Sequence, residues 1–443
     1  MTDEEQARDL LERATRLPDE LTPPVRRLIM VGRRRRKLRT TQRTLAVGVI
    51  AVLAVVIPQA VRTTSGGTPS PNQPANSQPH GPTAAQIAKF TWSKLPPSPL
   101  GPRQQPLLTL AGRYVIELGG VHNGVAGHDG AVFDLKTRRW HKIAEAPGNV
   151  QFDQAVTVWT GHELFVTDGL TTDCAPGVPN ATCLPHAGLY NPVTNRWTDT
   201  ELPFVNRNLL PAAAVWTGRV VVVAVFNSHS SNTVAVGAYD PATGRWQVEN
   251  PRLPAGHHPD LIQLVATSNR VVLWSQWAGK TGSNGLTHSG IDVLAFSDSD
   301  ASPVAPWQNV TGKWPQGVEV GTPVFTGNSI LLPPEKQWCS GHCITMIQAN
   351  KGFFASQATL CRTATVPYSP GAALGVSFIW TGRAIIAASR ILLRVDHLGV
   401  YDPATRTWRT LAPANARATV LPVWTGSELL VVTNQGTTLA LHR

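Results

Sequence analysis

With 443 residues, 42% of them hydrophobic and 15% charged, the chain is too apolar to be disordered overall and long enough for several domains or one repeat array. Thirty-seven Gly and 36 Pro fall short of collagen or low-complexity sequence but supply many turns, and five Cys exclude a disulfide-stapled mini-scaffold. The net charge of +11 is not a nucleic-acid footprint: residues 1–43 hold 12 Lys/Arg against 7 Asp/Glu, Arg62 adds one, and residues 63–443 carry 26 against 21.

In chain order, residues 1–43 form a basic stub. Thr2 with Glu5 makes a capping-box pattern, and Ala7, Leu10, Leu11, Ala14 and Leu17 recur at helical spacing until Pro18. A helix of about 15 residues is marginal alone in water, so this stripe is either a frayed, solvated helix or a dock for a cytoplasmic regulator. The densest basic block, residues 33–39, directly precedes the apolar run 45–61. That order predicts a single transmembrane helix over 44–62 with the N-terminus cytoplasmic. A cleaved signal peptide fits less well, because 43 residues precede the run and no small-x-small site follows it. Residues 63–87, rich in Pro, Ser, Asn and Gly at the start, read as a linker lifting the remainder off the membrane.

Residues 88–443 are repetitive. One turn recurs as Trp159-Thr160-Gly161, Trp216-Thr217-Gly218, Trp380-Thr381-Gly382 and Trp424-Thr425-Gly426, with degenerate copies at 110–112, 267–269 and 325–327. Each is followed by an apolar, β-branched run. A second motif falls between these turns: 133–140 (FDLKTRRW), 190–197 (YNPVTNRW), 239–246 (YDPATGRW) and 401–408 (YDPATRTW). Asp/Asn-Pro followed by Thr is turn chemistry joining a strand that ends in Tyr to one carrying Trp. Trp307 takes that Trp place in a degenerate fourth unit, and Cys361 in the fifth. Trp92 belongs to an outer strand with no inner strands before it, while 424–442 offers inner strands with no outer one after them. Pairing the two removes an exposed edge and completes a seventh unit. The expected fold is mainly β, a seven-bladed β-propeller over 88–443 preceded by one transmembrane helix.

The Gly119-Gly120 pair ending a hydrophobic strand, the aromatic-Asp turn and the following Trp resemble the kelch repeat, as in the central domain of galactose oxidase. The resemblance covers roughly 88–443, and only the first unit keeps the double glycine. It implies a propeller but not the copper chemistry. That site needs two tyrosines and a Tyr–Cys crosslink, and three of the five Tyr here (Tyr190, Tyr239, Tyr401) belong to repeat turns.

In a four-stranded meander the first and third turns share one face, and these are the tight ones. The variable connections 119–130, 168–186, 227–233, 275–290 and 333–343 fall on the other, which is where binding chemistry usually sits. Candidate ligand-binding residues there are His122, His128 and Asp129 in one connection, and Trp277, Trp314 and Trp338, whose rings suit sugars or apolar side chains. His229, His288 and the group His257, His258, Asp260 lie at the same end. Spacing alone brings no three ligands onto one metal, so neither metal nor cofactor is assigned. Cys174 and Cys183 bracket one long connection as a disulfide candidate; Cys339, Cys343 and Cys361 leave their pairing open. Two functional classes follow. One is a membrane-anchored extracytoplasmic module that binds an envelope protein or glycan and signals through the stub. The other is a cell-envelope glycan hydrolase or lyase working on the long-connection face; no catalytic residues are assigned.

Overall fold

The computed structural model describes most of residues 81–443; residues 1–80 lie outside it, as do internal stretches of which the longest are 168–185, 298–306, 310–322, 333–342, 349–356 and 362–375. The stub helix, the expected span 44–62, Cys174, Cys183, Cys339, Trp314, Trp338, His229, His257 and His258 therefore fall outside the described residues. No helix among the described residues is long and apolar enough to cross a membrane.

Among the described residues, seven four-stranded antiparallel sheets follow one another, with strands lettered A to D from the inside outward. Sheet 1 comprises Leu107–Ala111, Tyr114–Leu118, Gly130–Asp134 and Arg139–Lys142; sheet 2 comprises Thr157–Trp159, Leu164–Thr167, His186–Asn191 and Arg196–Glu201. Sheet 3 is Leu210–Trp216, Val221–Phe226, Val234–Asp240 and Arg245–Glu249; sheet 4 is Pro259–Ala266, Arg270–Thr281, Thr287–Ser297 and Gln308–Asn309. Sheet 5 is Val324–Phe325, Ser329–Leu332, Cys343–Gln348 and Gln357–Cys361; sheet 6 is Val376–Trp380, Ile385–Ser389, Gly399–Asp402 and Thr407–Thr410. Sheet 7 takes Val423–Trp424, Leu429–Val432 and Thr438–His442 from the C-terminus and its D strand, Thr91–Leu95, from the other end of the chain, with Trp92 opposite Leu441. Each A strand contacts the A strand of the next sheet, and that of sheet 7 contacts that of sheet 1. The chain is a β-propeller.

The repeat residues explain the turns. In the A–B turns Thr160, Thr267, Thr381 and Thr425 each accept, at Oγ1, the backbone N–H three residues on and donate to the carbonyl of that same residue. The Gly beside it holds a positive φ of 92–103° in the four Trp-Thr-Gly copies, which an L side chain resists. In the C–D turns Asp134, Asn191, Asp240 and Asp402 accept, at Oδ1, the N–H two residues on.

One row of residues crosses every sheet outward from the A–B turn, starting at a Trp in sheets 2, 3, 6 and 7 and at Leu110, Ala266 and Phe325 in sheets 1, 4 and 5. It runs Trp159–Leu164–Tyr190–Trp197 in sheet 2 and Trp216–Val221–Tyr239–Trp246 in sheet 3. Sheets 1, 2, 3, 6 and 7 end the row in a paired D-strand Trp: Trp140, Trp197, Trp246, Trp408 and Trp92. Carrying the register of sheet 4 one residue on puts Trp307 opposite Phe296. Sheet 5 differs from expectation. Its row is Phe325–Ile330–Ile347–Gln357, so Gln357 holds the Trp place and Cys361 lies four residues further on.

Three of these indoles also join neighbours. Trp92 Nε1 donates to Ala412 O (2.7 Å), Trp140 Nε1 to Pro96 O (3.0 Å) and Trp197 Nε1 to Ala144 O (2.9 Å). Each acceptor lies four residues beyond the D-strand Trp of the preceding sheet, so the repeat that builds a sheet also fastens it to the one before.

The described residues begin ahead of the D strand that closes the ring, inside the stretch 63–87 expected as a linker. Thr83 caps the short helix Ala84–Ile87 in a complete capping box with Gln86, and Ala84 and Ile87 are buried in the core of sheets 6, 7 and 1. Gly81 packs against the A–B turn of sheet 6, where a Cβ would lie 2.5 Å from Thr381 O.

Candidate functional site

The B–C and D–A connections gather at the end of the sheets opposite the tight turns. Their best-described part is the seam between sheets 7 and 1, where connection 96–106 meets connection 119–129. The double glycine has a local cause here. Gly119 and Gly120 both have positive φ (58° and 87°); a Cβ on the first would stand 2.7 Å from Phe152 Cβ, and on the second 2.9 Å from Gln104 O. The chain then turns back as a small hairpin, Val121–His122 with Val125–Ala126, bridged to Gln104 through Val121.

Beneath that hairpin sits a polar cluster built on Arg103, only 5% exposed. Its guanidinium donates to Asp129 Oδ1 (2.8 Å) and Oδ2 (3.2 Å), and to the carbonyls of Gly119 (2.7 Å) and Leu100 (2.6 Å). Partial burial would raise the Asp129 pKa, but the hydrogen bond and charge of Arg103 outweigh it and hold the carboxyl below its usual range. Nearby, the fully buried Glu117 accepts a 2.5 Å hydrogen bond from Ser98 Oγ at Oε2, while its Oε1 has no partner among the described residues. Burial pushes Glu117 up to about 7, against the Ser98 hydrogen bond and the positive charge of Arg103.

The structure sorts the sequence candidates. Asp129 is committed to Arg103. His122 donates from Nδ1 to Pro102 O (2.7 Å) and accepts from the Asn123 amide at Nε2 (3.0 Å), so both ring nitrogens are engaged. His128 is exposed beside Asp129. In this geometry the His122/Asp129 connection clamps the seam. Trp277 is not in a loop: strands B and C of sheet 4 pair out to Thr281 and Thr287, placing Trp277 opposite Gly290 and Pro259, partly buried, and His288 within strand C. The ladder extends because the Gly/Ser/Asn turn signal lies at 282–285, beyond the point where the expected loop 275–290 began. Among the described residues no three His, Cys, Asp or Glu side chains gather as a metal-ligand group. Arg103 and Glu117 were missed by sequence reasoning; the available signal was the Glu inside the apolar strand Tyr114–Leu118, buried throughout.

No family model matches the chain, and no curated protein does. Solved structures do. A chain of a mitotic checkpoint complex crystal structure aligns at TM-score 0.50 and 10% identity, over 87% of this chain and 99% of that one. Oligogalacturonate lyase in complex with manganese aligns at 0.49 and 10% identity, over 83% and 99%. The β-propeller domain of the trilobed protease from Pyrococcus furiosus aligns at 0.46 and 10% identity, over 74% and 90%. At 10% identity the likeness to the checkpoint-complex chain speaks to the fold alone.

Proposed function

We propose that the chain is a seven-bladed, kelch-like propeller, held outside the cytoplasm by a single span at 44–62, that presents its long-connection face to an envelope protein or glycan. The observation that carries this reading is where the chain enters the ring. Gly81 packs on an A–B turn of sheet 6, and Thr91, the start of the closing strand, pairs with His442 at that same tight-turn end. A linker rising from a membrane would meet the propeller on its tight-turn face. The variable B–C and D–A connections would then point away from the bilayer, free to meet a partner. The basic block before the apolar run supports the orientation, and the stub would carry a signal inward through its apolar stripe.

Protease added to intact spheroplasts is expected to remove the propeller and leave the stub protected; a protected propeller would overturn the topology. Trp277→Ala, Trp314→Ala and Trp338→Ala are each expected to weaken capture of cell-wall fragments or solubilised envelope proteins by about 1–3 kcal/mol. If all three variants melt early and none alters capture, these rings pack the scaffold and the binding face lies elsewhere.

A further inference from the structure

We infer that Cys343 and Cys361 form a disulfide that fastens the outermost strand of sheet 5. The two are register partners on adjacent antiparallel strands C and D. Directly opposed residues in such a pair have Cα atoms about 4.5–5.5 Å apart, inside the roughly 4.4–6.8 Å span of disulfides. Cys174 and Cys183 share one connection and Cys339 lies in another, whereas this pair is set by a ladder.

The placement also answers a deficit of the sheet. The other six sheets carry a Trp in strand D, or one residue beside it, at the row that packs against strand C. Sheet 5 has Gln357 there. Cys361, four residues along, shares a face of strand D with Gln357, because side chains alternate with period two. Where the aromatic clamp is missing, a covalent one is available on the same side of the same strand, at the end that carries the long connections.

Formation needs a two-electron oxidant, supplied in an extracytoplasmic compartment by a disulfide-bearing oxidoreductase. One Cys thiolate attacks that disulfide, giving a mixed disulfide and releasing one thiolate. The second Cys thiolate then attacks the protein sulfur and expels the other. Two thiols become a disulfide, two protons are lost and the oxidant leaves as a dithiol. Formation in the cell rests on the extracytoplasmic reading above; the pairing itself does not.

The test is peptide mapping of alkylated, non-reduced full chain, once as purified and once after equilibration with glutathione disulfide. Trypsin should yield residues 337–351 linked to 352–362. The link should persist in Cys339→Ser and vanish in Cys343→Ser. In a Cys174→Ser/Cys183→Ser background, reduction should lower the thermal midpoint by roughly 3–6 °C, with no such change once Cys343→Ser and Cys361→Ser are added. A link formed only with glutathione disulfide supports the pairing and overturns the compartment. A bond from Cys339 to either partner, or free thiols after both treatments, overturns the pairing.

Discussion

A chain beginning at residue 103 is expected to lose cooperative folding that a chain beginning at residue 81 retains. Residues 81–102 supply the whole D strand of sheet 7, paired from Thr91–His442 to Leu95–Thr438. They also place Ala84, Ile87 and Phe90 in the same buried core as Trp424 and Leu441, and carry the Trp92 indole to Ala412 O and the Ser98 N–H to Gly436 O. Removing them opens a cavity against sheets 6 and 7 and leaves Thr438–His442 as an unpaired edge, a template for aggregation. Trp92→Ala isolates one part of this. The ring is partly buried, so its truncation should cost about 2–4 kcal/mol, below the usual cost of a fully buried Trp. Denaturant midpoints with light scattering measure both effects. Equal midpoints for the two chain lengths would mean that the ring closes without its N-terminal strand.

What was legible in the sequence is what local chemistry specifies. Trp-Thr-Gly and Asp-Pro-x-Thr turns carry their own hydrogen bonds, through Thr160 Oγ1 and Asp240 Oδ1, so they can be read without knowing their neighbours. The closing strand was legible because Trp92 sits in a copy of the outer-strand pattern with nothing before it to pair with. Three features were not legible because they depend on register or on distant packing. The B–C arm of sheet 4 looked like a loop, yet its ladder runs on to Thr281. Cys361 looked like the Trp substitute, but the register is invisible without the partner strand, and Gln357 holds that row. The seam cluster joins Ser98, Arg103, Glu117 and Asp129 from two connections and a strand; only folding brings them together. The same packing turned His122 and Asp129 from free candidates into members of a clamp, while Trp314 and Trp338 lie outside the described residues.

Glu117→Gln is expected to flatten the pH dependence of stability and to make the propeller more stable above neutral pH. Glu117 is raised from 4.5 to about 7 because burial disfavours its charged form. Between those values the folded state binds more protons at this site than the unfolded state, so stability falls as pH rises through that window. The full penalty, about 3 kcal/mol, is in place once pH exceeds the folded pKa and is absent near pH 4.5. Asp129 acts in the opposite sense: its lowered pKa gives stability that is lost only as pH falls below the usual carboxylate range, so the two sites separate along the pH axis. The substituted amide keeps an acceptor for Ser98 Oγ at nearly the same volume but has no charge to bury. Urea unfolding of the wild-type and Glu117→Gln chains from about pH 4.5 to 8.5 should therefore give curves that nearly coincide at the acid end and diverge towards pH 8, the variant above the wild type. Ser98→Ala should leave the onset of the pH-dependent loss near pH 4.5 but carry it on to higher pH and enlarge it, because it removes the hydrogen bond that favours the folded-state carboxylate. A difference between the wild-type and Glu117→Gln chains that stays constant across that range would show that the buried carboxyl does not titrate within it.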